Sequence, residues 1–192
     1  MKTILSFGMG VESSALLLRW MEEPASRDFD LERDLIVITA QTGDEWPDTR
    51  TLIERHLLPR MRSHRIRYVQ IARAGHLEAD GVVVLADTRE PNTVHLDGAY
   101  KLSQELRAAG TVPQYAGERR CSLKFKAWVI ETWLAQELRA ILVRGFIVAA
   151  AIGAALIALQ APLATILLSA MGGSEAVTRA AKTYFVIRIW SA

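Results

Sequence analysis

Ser6, Gly8, Gly10, Ser13 and Ser14 fall within one short stretch, SFGMGVESS, between the apolar pair Ile4–Leu5 and a helical pattern at Val11, Ala15, Leu16 and Leu18. Glycines at a strand-to-helix turn let the backbone come close to an anionic ligand, and the helix that follows turns free N–H groups toward it. The chemistry this predicts is phosphate binding. The spacing fits neither the dinucleotide fingerprint nor the Walker A pattern, since no third glycine is in register and no Lys precedes the serines.

Two further groups of residues could act on a phosphorylated ligand. Asp44 and Glu45, in TGDEWPDT, could hold a magnesium ion through water or bond a ribose or adenine group. They are equally suited to capping a helix that starts at Pro47. Arg119, Arg120, Lys124 and Lys126, in RRCSLKFK, could clamp a sulfate or phosphate, or form a solvated basic helix start. Cys121 lies between these cations, which favour a thiolate, but a lone Cys packed at a helix start is the preferred reading, and no obligatory redox role is expected of it. As the chain's single cysteine it excludes an internal disulfide and fits a reducing compartment. His56, His64, His76 and His95 lack metal-ligand spacing, so no protein metal site is expected.

The elements that must position these residues alternate along the first part of the chain. Lys2 to Ser6 reads as a strand and Val11 to Met21 as a helix. Leu35 to Thr39 is a β-branched run without alternation, as in a parallel strand covered on both faces. Pro47 suits the first turn of a helix running to about Ser63, and Arg67 to Ile71 reads as a third strand. Val82 to Leu85 is a further strand candidate. A helix near Tyr100 to Ala109 ends at Gly110, and helical spacing returns from Lys126 to Arg139. This order predicts an α/β fold, an open parallel sheet with flanking helices built from right-handed βαβ units. Ligands of such sheets bind beyond the carboxyl ends of the strands.

The glycine loop, TGDEWPDT after the second strand and the basic RRCSLKFK segment together resemble the phosphoadenosine phosphosulfate reductase-like family of the adenine nucleotide alpha-hydrolase, or PP-loop, superfamily. The resemblance covers roughly residues 1 to 138. It implies ATP as the bound nucleotide, with its β and γ phosphates held through Ser6, Gly8, Gly10, Ser13 and Ser14 so that pyrophosphate leaves on attack at the α-phosphorus. It further implies Asp44, Arg119, Arg120 and Lys124 as nucleotide contacts, magnesium as a companion ion, and a small acceptor substrate of unknown identity, chosen by residues 75 to 118. The chain departs from the family at Glu12, where an acid after Lys is common. The Glu-Cys-Gly-type motif of the true reductases is missing, so sulfonucleotide reduction is not expected.

The chain changes character past Arg144, after which only Glu175, Arg179, Lys182 and Arg188 are charged among Asp, Glu, Lys and Arg. Phe146 to Met171 is Ala, Ile, Leu, Val and Gly with few interruptions, long enough for a bilayer core that needs about 20 such residues. The run from Arg144-Gly145-Phe146 through Gln160-Ala161-Pro162, then Met171-Gly172-Gly173-Ser174-Glu175 and Tyr184 to Arg188, resembles a piece of a multidrug and toxin extrusion (MATE) transporter, one spanning helix, a short loop that Ser174 closes as a cap, and the start of the next helix. A hydrophobic, membrane-inserted helical hairpin is expected over residues 139–192. The alternative is a buried hairpin of a soluble protein.

Two resemblances meeting near residues 138 to 144 without a linker read as a fusion of unrelated fragments. A net charge of +2 gives no strong nucleic-acid signal, and Arg55, Arg60, Arg62, Arg65 and Arg67 read as a solvated helix face. No signal peptide precedes the glycine loop, which places the first part in the cytoplasm with the membrane met through residues 145–171. The leading expectation is an ATP pyrophosphatase or adenylyl-transfer domain joined to a transporter-like membrane fragment. The alternatives are a transporter fragment with an incidental first part and a nucleotide-binding regulator without turnover.

Overall fold

The computed structural model of the chain describes residues 2–112, 122–170, 172 and 175–189. The chain divides into two compact units, Met1–Gln136 and Glu137–Ala192. In the first, strands β1 (Thr3–Ser6), β2 (Leu35–Gln41), β3 (Arg67–Arg73) and β4 (Val82–Thr88) form one sheet in the order β1-β2-β3-β4. β1, β2 and β3 are parallel, with Leu5 opposite Val37 and Ile38 opposite Val69. All seven residues of β2 are buried, which is why its sequence is apolar without alternation.

β4 corrects the expected all-parallel sheet, because it runs antiparallel to β3. The reason is the length of the connection. Residues 74–81 hold only a 3-10 turn, Glu78–Asp80, and Gly81 at φ +76°, whereas a parallel return needs a crossover of a dozen residues or more. The sheet is therefore mixed, and β4 forms its far edge.

Helix α1 (Val11–Glu22) follows β1. Helices α2 (Pro47–Leu52) and α3 (Leu58–Ser63) follow β2, joined by a π turn at Ile53–Leu57. The π turn has a local cause. Pro59 offers no N–H to the carbonyl of Arg55 and its ring crowds that carbonyl, and the widened turn closes instead with Leu58 N–H donating to Ile53 O. Leu17, Met21, Ile53, Leu57, Leu58 and Met61 bury against Leu5, Val37 and Tyr68 on one face of the sheet. On the other face Ile36, Ile38, Val69 and Ile71 meet Val129 and Trp133 from the start of a long helix, α5 (Trp128–Ala170), which follows the short helix α4 (Leu102–Ala108).

Several arginines of the expected solvated face have acidic partners. Arg60 stands 3.7 Å from Glu22, Arg65 2.8 Å from Glu32, and Arg67 2.7 Å from Asp87.

The second unit consists of the continuation of α5 and of α6 (Glu175–Ile189), with Gly172 between them at φ +61°. Among the described residues one helix is long and apolar enough to cross a membrane, with mean hydropathy 2.3 and none of its apolar window buried. α6 has 15 residues, about 22 Å at 1.5 Å per residue, and holds Arg179 within it. Among the described residues the candidate span is therefore the long helix alone, the second helix being described over Glu175–Ile189. The expected cap Ser174 lies outside the described residues.

A buried hydrogen-bond chain ties β1 to β3. Thr39 Oγ1 donates to the carbonyl of Phe7 at 2.9 Å and lies 3.1 Å from Tyr68 Oη. Because the Thr39 proton is committed to Phe7, the Tyr68 hydroxyl must donate to Thr39, and burial pushes the Tyr68 pKa from 10.0 up to about 12. Unfolded Tyr ionises first, so this group's contribution is complete below pH 10 and lost as pH rises toward 12. Tyr68→Phe should therefore show a flatter fall in urea-unfolding stability above pH 10, with the gap to wild type closing by about 2 to 3 kcal/mol.

Candidate functional site

The site is set by an alternation that starts in β1 and continues into the loop. Leu5, Phe7 and Met9 are buried, while Ser6, Gly8 and Gly10 lie exposed between them. Phe7 packs edge-on against Tyr68, with ring centroids 6.4 Å apart, and its N–H donates to Ile38 O. Met9 takes φ +58°, a left-handed conformation that costs a non-glycine residue roughly 1–2 kcal/mol, and burial of its side chain holds it there. The chain thus turns with two side chains driven into the core and three small residues left facing out.

Gly10 is the N-cap of α1 and offers no side-chain cap. The first helical bond runs from Ser14 N–H to Gly10 O at 3.0 Å, and Ser13 Oγ donates to the same carbonyl at 3.3 Å. The amides of Val11, Glu12 and Ser13 consequently have no backbone partner among the described residues, a donor array suited to an anion. A Cβ at Gly8 would meet nothing within 4 Å, so the glycine keeps space open that the protein itself does not fill.

A cleft of about 480 Å³ begins at this loop. Met9, Gly10 and Ser14 form one end, Leu18, Ile53 and Leu57 its walls, and Thr49, from the second expected motif, lines it as well. Glu22 and Arg60 stand at the other end.

Gln41 was not among the expected site residues. It is fully buried at the carboxyl end of β2, and among the described residues neither its amide nitrogen nor its amide oxygen has a hydrogen-bond partner. Strand alternation puts it on the face of Val37 and Thr39, one pleat beyond the residue that bonds Phe7. That is where the loop leaves β1. The signal available in the sequence was a lone amide in an otherwise apolar strand.

Asp44 does not cap the helix starting at Pro47. Its Oδ2 accepts from Ser103 N–H at 2.7 Å, which caps α4 instead, while Thr42 O accepts from Leu102 N–H. Gly43 allows this approach. Its φ is +84°, and a Cβ there would lie 2.6 Å from Lys101 Cγ. Lys124 is held by Glu105 at 2.5 Å and Lys126 stands 3.8 Å from Glu45. The structure therefore gathers Ser6, Gly8, Gly10, Ser13 and Ser14 in one loop, sets Asp44 beside it on the next strand end, and places Lys124 in a separate cluster. Arg119, Arg120 and Cys121 lie outside the described residues. Among the described residues no three His, Cys, Asp or Glu side chains group to hold a metal.

Asp44→Ala should leave the first turn of α4 without its acceptor, at a cost of about 1 kcal/mol. Amide exchange over Leu102–Ala108 is expected to speed up about fivefold, with exchange in β2 unchanged.

Compared with known proteins, the chain matches no family model, no curated protein and no solved structure, so the reading of this site stands on its own geometry.

Proposed function

We propose that the first unit binds an adenine nucleotide, ATP, on the loop from Ser6 to Ser14 in the manner of the PP-loop domains it resembles, and that it serves adenylyl transfer with release of pyrophosphate. The observation that carries this is the outward row Ser6, Gly8 and Gly10, which runs into the unpaired first-turn amides of α1 at the mouth of a cleft. Phosphate oxygens need many N–H donors and close backbone approach, and this segment supplies both. The loop brings little positive charge of its own, and Glu12 Oε2 sits 3.7 Å from the Cβ position of Gly10. A magnesium ion arriving on the β and γ phosphates would offset that repulsion, with Asp44 and Glu45 on the neighbouring loop able to meet it through water.

Gly8→Val tests the loop cleanly. The apo fold has open space at this position and a φ that any residue adopts, so stability should change by no more than about 0.5 kcal/mol. In calorimetric titration with ATP and magnesium the variant should lose affinity by about tenfold or more, because the branched side chain occupies the phosphate's approach. Equal affinities would remove the loop from the site. Pyrophosphate release from ATP separates turnover from a nucleotide-binding regulator.

The exposed apolar helix favours a second element of function, a membrane attachment through the transporter-like fragment. From Gly145 onward α5 has no ionisable side chain, and its residues 145–170 extend about 39 Å at 1.5 Å per residue, enough to cross with tilt. Pro162 is tolerable there, as a kink in a spanning helix is. Arg139 and Arg144 before its start favour a cytoplasmic first unit. The full chain should sediment with membranes and resist carbonate extraction, whereas residues 1–138 alone should not. Recovery of the full chain as a soluble monomer without detergent would make the segment a buried hairpin.

A further inference from the structure

The carboxyl end of β3 carries a second polar cluster that the nucleotide reading does not use. Arg73, the last residue of β3, is fully buried. Its guanidinium is pressed between Phe125 and Trp128, 5.4 and 4.9 Å from their ring centroids. Nε donates to Gly75 O and one Nη2 hydrogen to His76 O, at 3.1 and 2.7 Å, while Nη1 has no partner among the described residues. Glu105 of α4 joins the same cluster through His76. One carboxylate oxygen takes the 2.5 Å bond from Lys124, and the other, Oε2, is buried with no hydrogen-bond donor placed on it among the described residues, His76 Nδ1 standing 4.0 Å away.

Tyr100 joins the two. Its hydroxyl lies 3.1 Å from His76 Nδ1, and its ring stacks on Phe125 at 6.0 Å. Burial first, then the charge of the Glu105 carboxylate and the hydroxyl's hydrogen bonding toward it, raises its pKa, so it remains a neutral hydrogen-bond partner at neutral pH. The cluster meets solvent at His76, whose side chain is 64% exposed.

An unpaired guanidinium donor and an unpaired carboxylate acceptor, both dry and in one cluster, each cost free energy until something satisfies them. They do not satisfy each other. A bare anion would answer Arg73 and repel Glu105, and a bare cation would do the reverse. The ligand that answers both has an anionic oxygen and a protonated nitrogen close together.

We propose that Arg73 and Glu105, walled by His76, Tyr100 and Phe125, form a subsite for a small zwitterion of the α-amino acid type, its carboxylate on Arg73 and its ammonium on Glu105. The proposal deepens the adenylyl-transfer reading and rests on it for its meaning, since β1 and β3 end at one edge of the sheet about 10 Å apart, and a zwitterion there would be the acceptor side of the site. No chemical step is assigned to the cluster.

The test is calorimetric titration of the full chain, without nucleotide, with glycine as the smallest α-amino acid and with acetate and methylammonium as single-charge probes. Glycine should bind saturably, and each single-charge probe about tenfold more weakly or worse. Arg73→Lys keeps the charge and loses the fork, and Glu105→Gln keeps the shape and loses the charge. Each should lower glycine affinity about tenfold, while ATP affinity, measured on the same samples, stays at the wild-type value and shows that the variants are folded. Acetate binding as well as glycine would leave a plain anion site and overturn the proposal, as would glycine affinity unchanged in both variants or no glycine binding at all. Failure of ATP binding with glycine binding intact would instead strike the nucleotide reading.

Discussion

The burial of Phe7 and Met9 on either side of Gly8 is the constraint on which the rest of the first unit depends. Each side chain enters the core beneath α1, and the strand period then forces Ser6, Gly8 and Gly10 outward. The bond from Thr39 to the Phe7 carbonyl, itself supported by Tyr68, fixes the height at which the chain leaves the sheet. Met9 accepts a left-handed backbone as the cost of this arrangement. A loop that holds small residues outward by packing large ones inward needs no ligand to keep its shape, which is what preorganised anion binding requires.

Electrostatics divide the carboxyl edge of the sheet into unlike parts. The glycine loop offers amides and one acid, Glu12, whereas the cations of the described residues nearby are already engaged, Lys124 by Glu105 and Lys126 by Glu45. Between them, Asp44 commits one carboxylate oxygen, Oδ2, to α4 and so couples the loop after β2 to the helix that carries Glu105. Among the described residues the side-chain polar atoms left unpaired in the interior belong to Gln41 at the end of β2, Arg73 at the end of β3 and Glu105 of α4. Buried orphans are costly, and their concentration at one edge of one sheet is a physical reason to look for ligands there rather than elsewhere on the surface.

Much of this was legible in the chain and some could not be. The β-branched run of β2, the glycine loop and Pro47 at the start of α2 are local features, and local rules read them. The direction of β4 follows from a short connection whose 3-10 turn has little sequence signal. The π turn is traceable to Pro59 only once the helix around it is known. The partner of Asp44 lies 59 residues further along, and the cluster of Arg73, Tyr100 and Glu105 assembles from β3, α4 and the segment leading into α4, so neither could be found by spacing. The abrupt loss of charge after Arg144 marked the second unit, in which one helix among the described residues is long and apolar enough to cross a membrane.

The most direct test of the account is hydrogen exchange of the backbone amides from Gly8 to Ser13, with and without ATP and magnesium, in the full chain. These amides, of which Val11, Glu12 and Ser13 have no backbone partner among the described residues, should slow by about tenfold or more when phosphate oxygens accept from them, while amides elsewhere in α1 change little. Exchange in this loop that is the same with saturating ATP as without it would contradict the account, whatever else the protein binds.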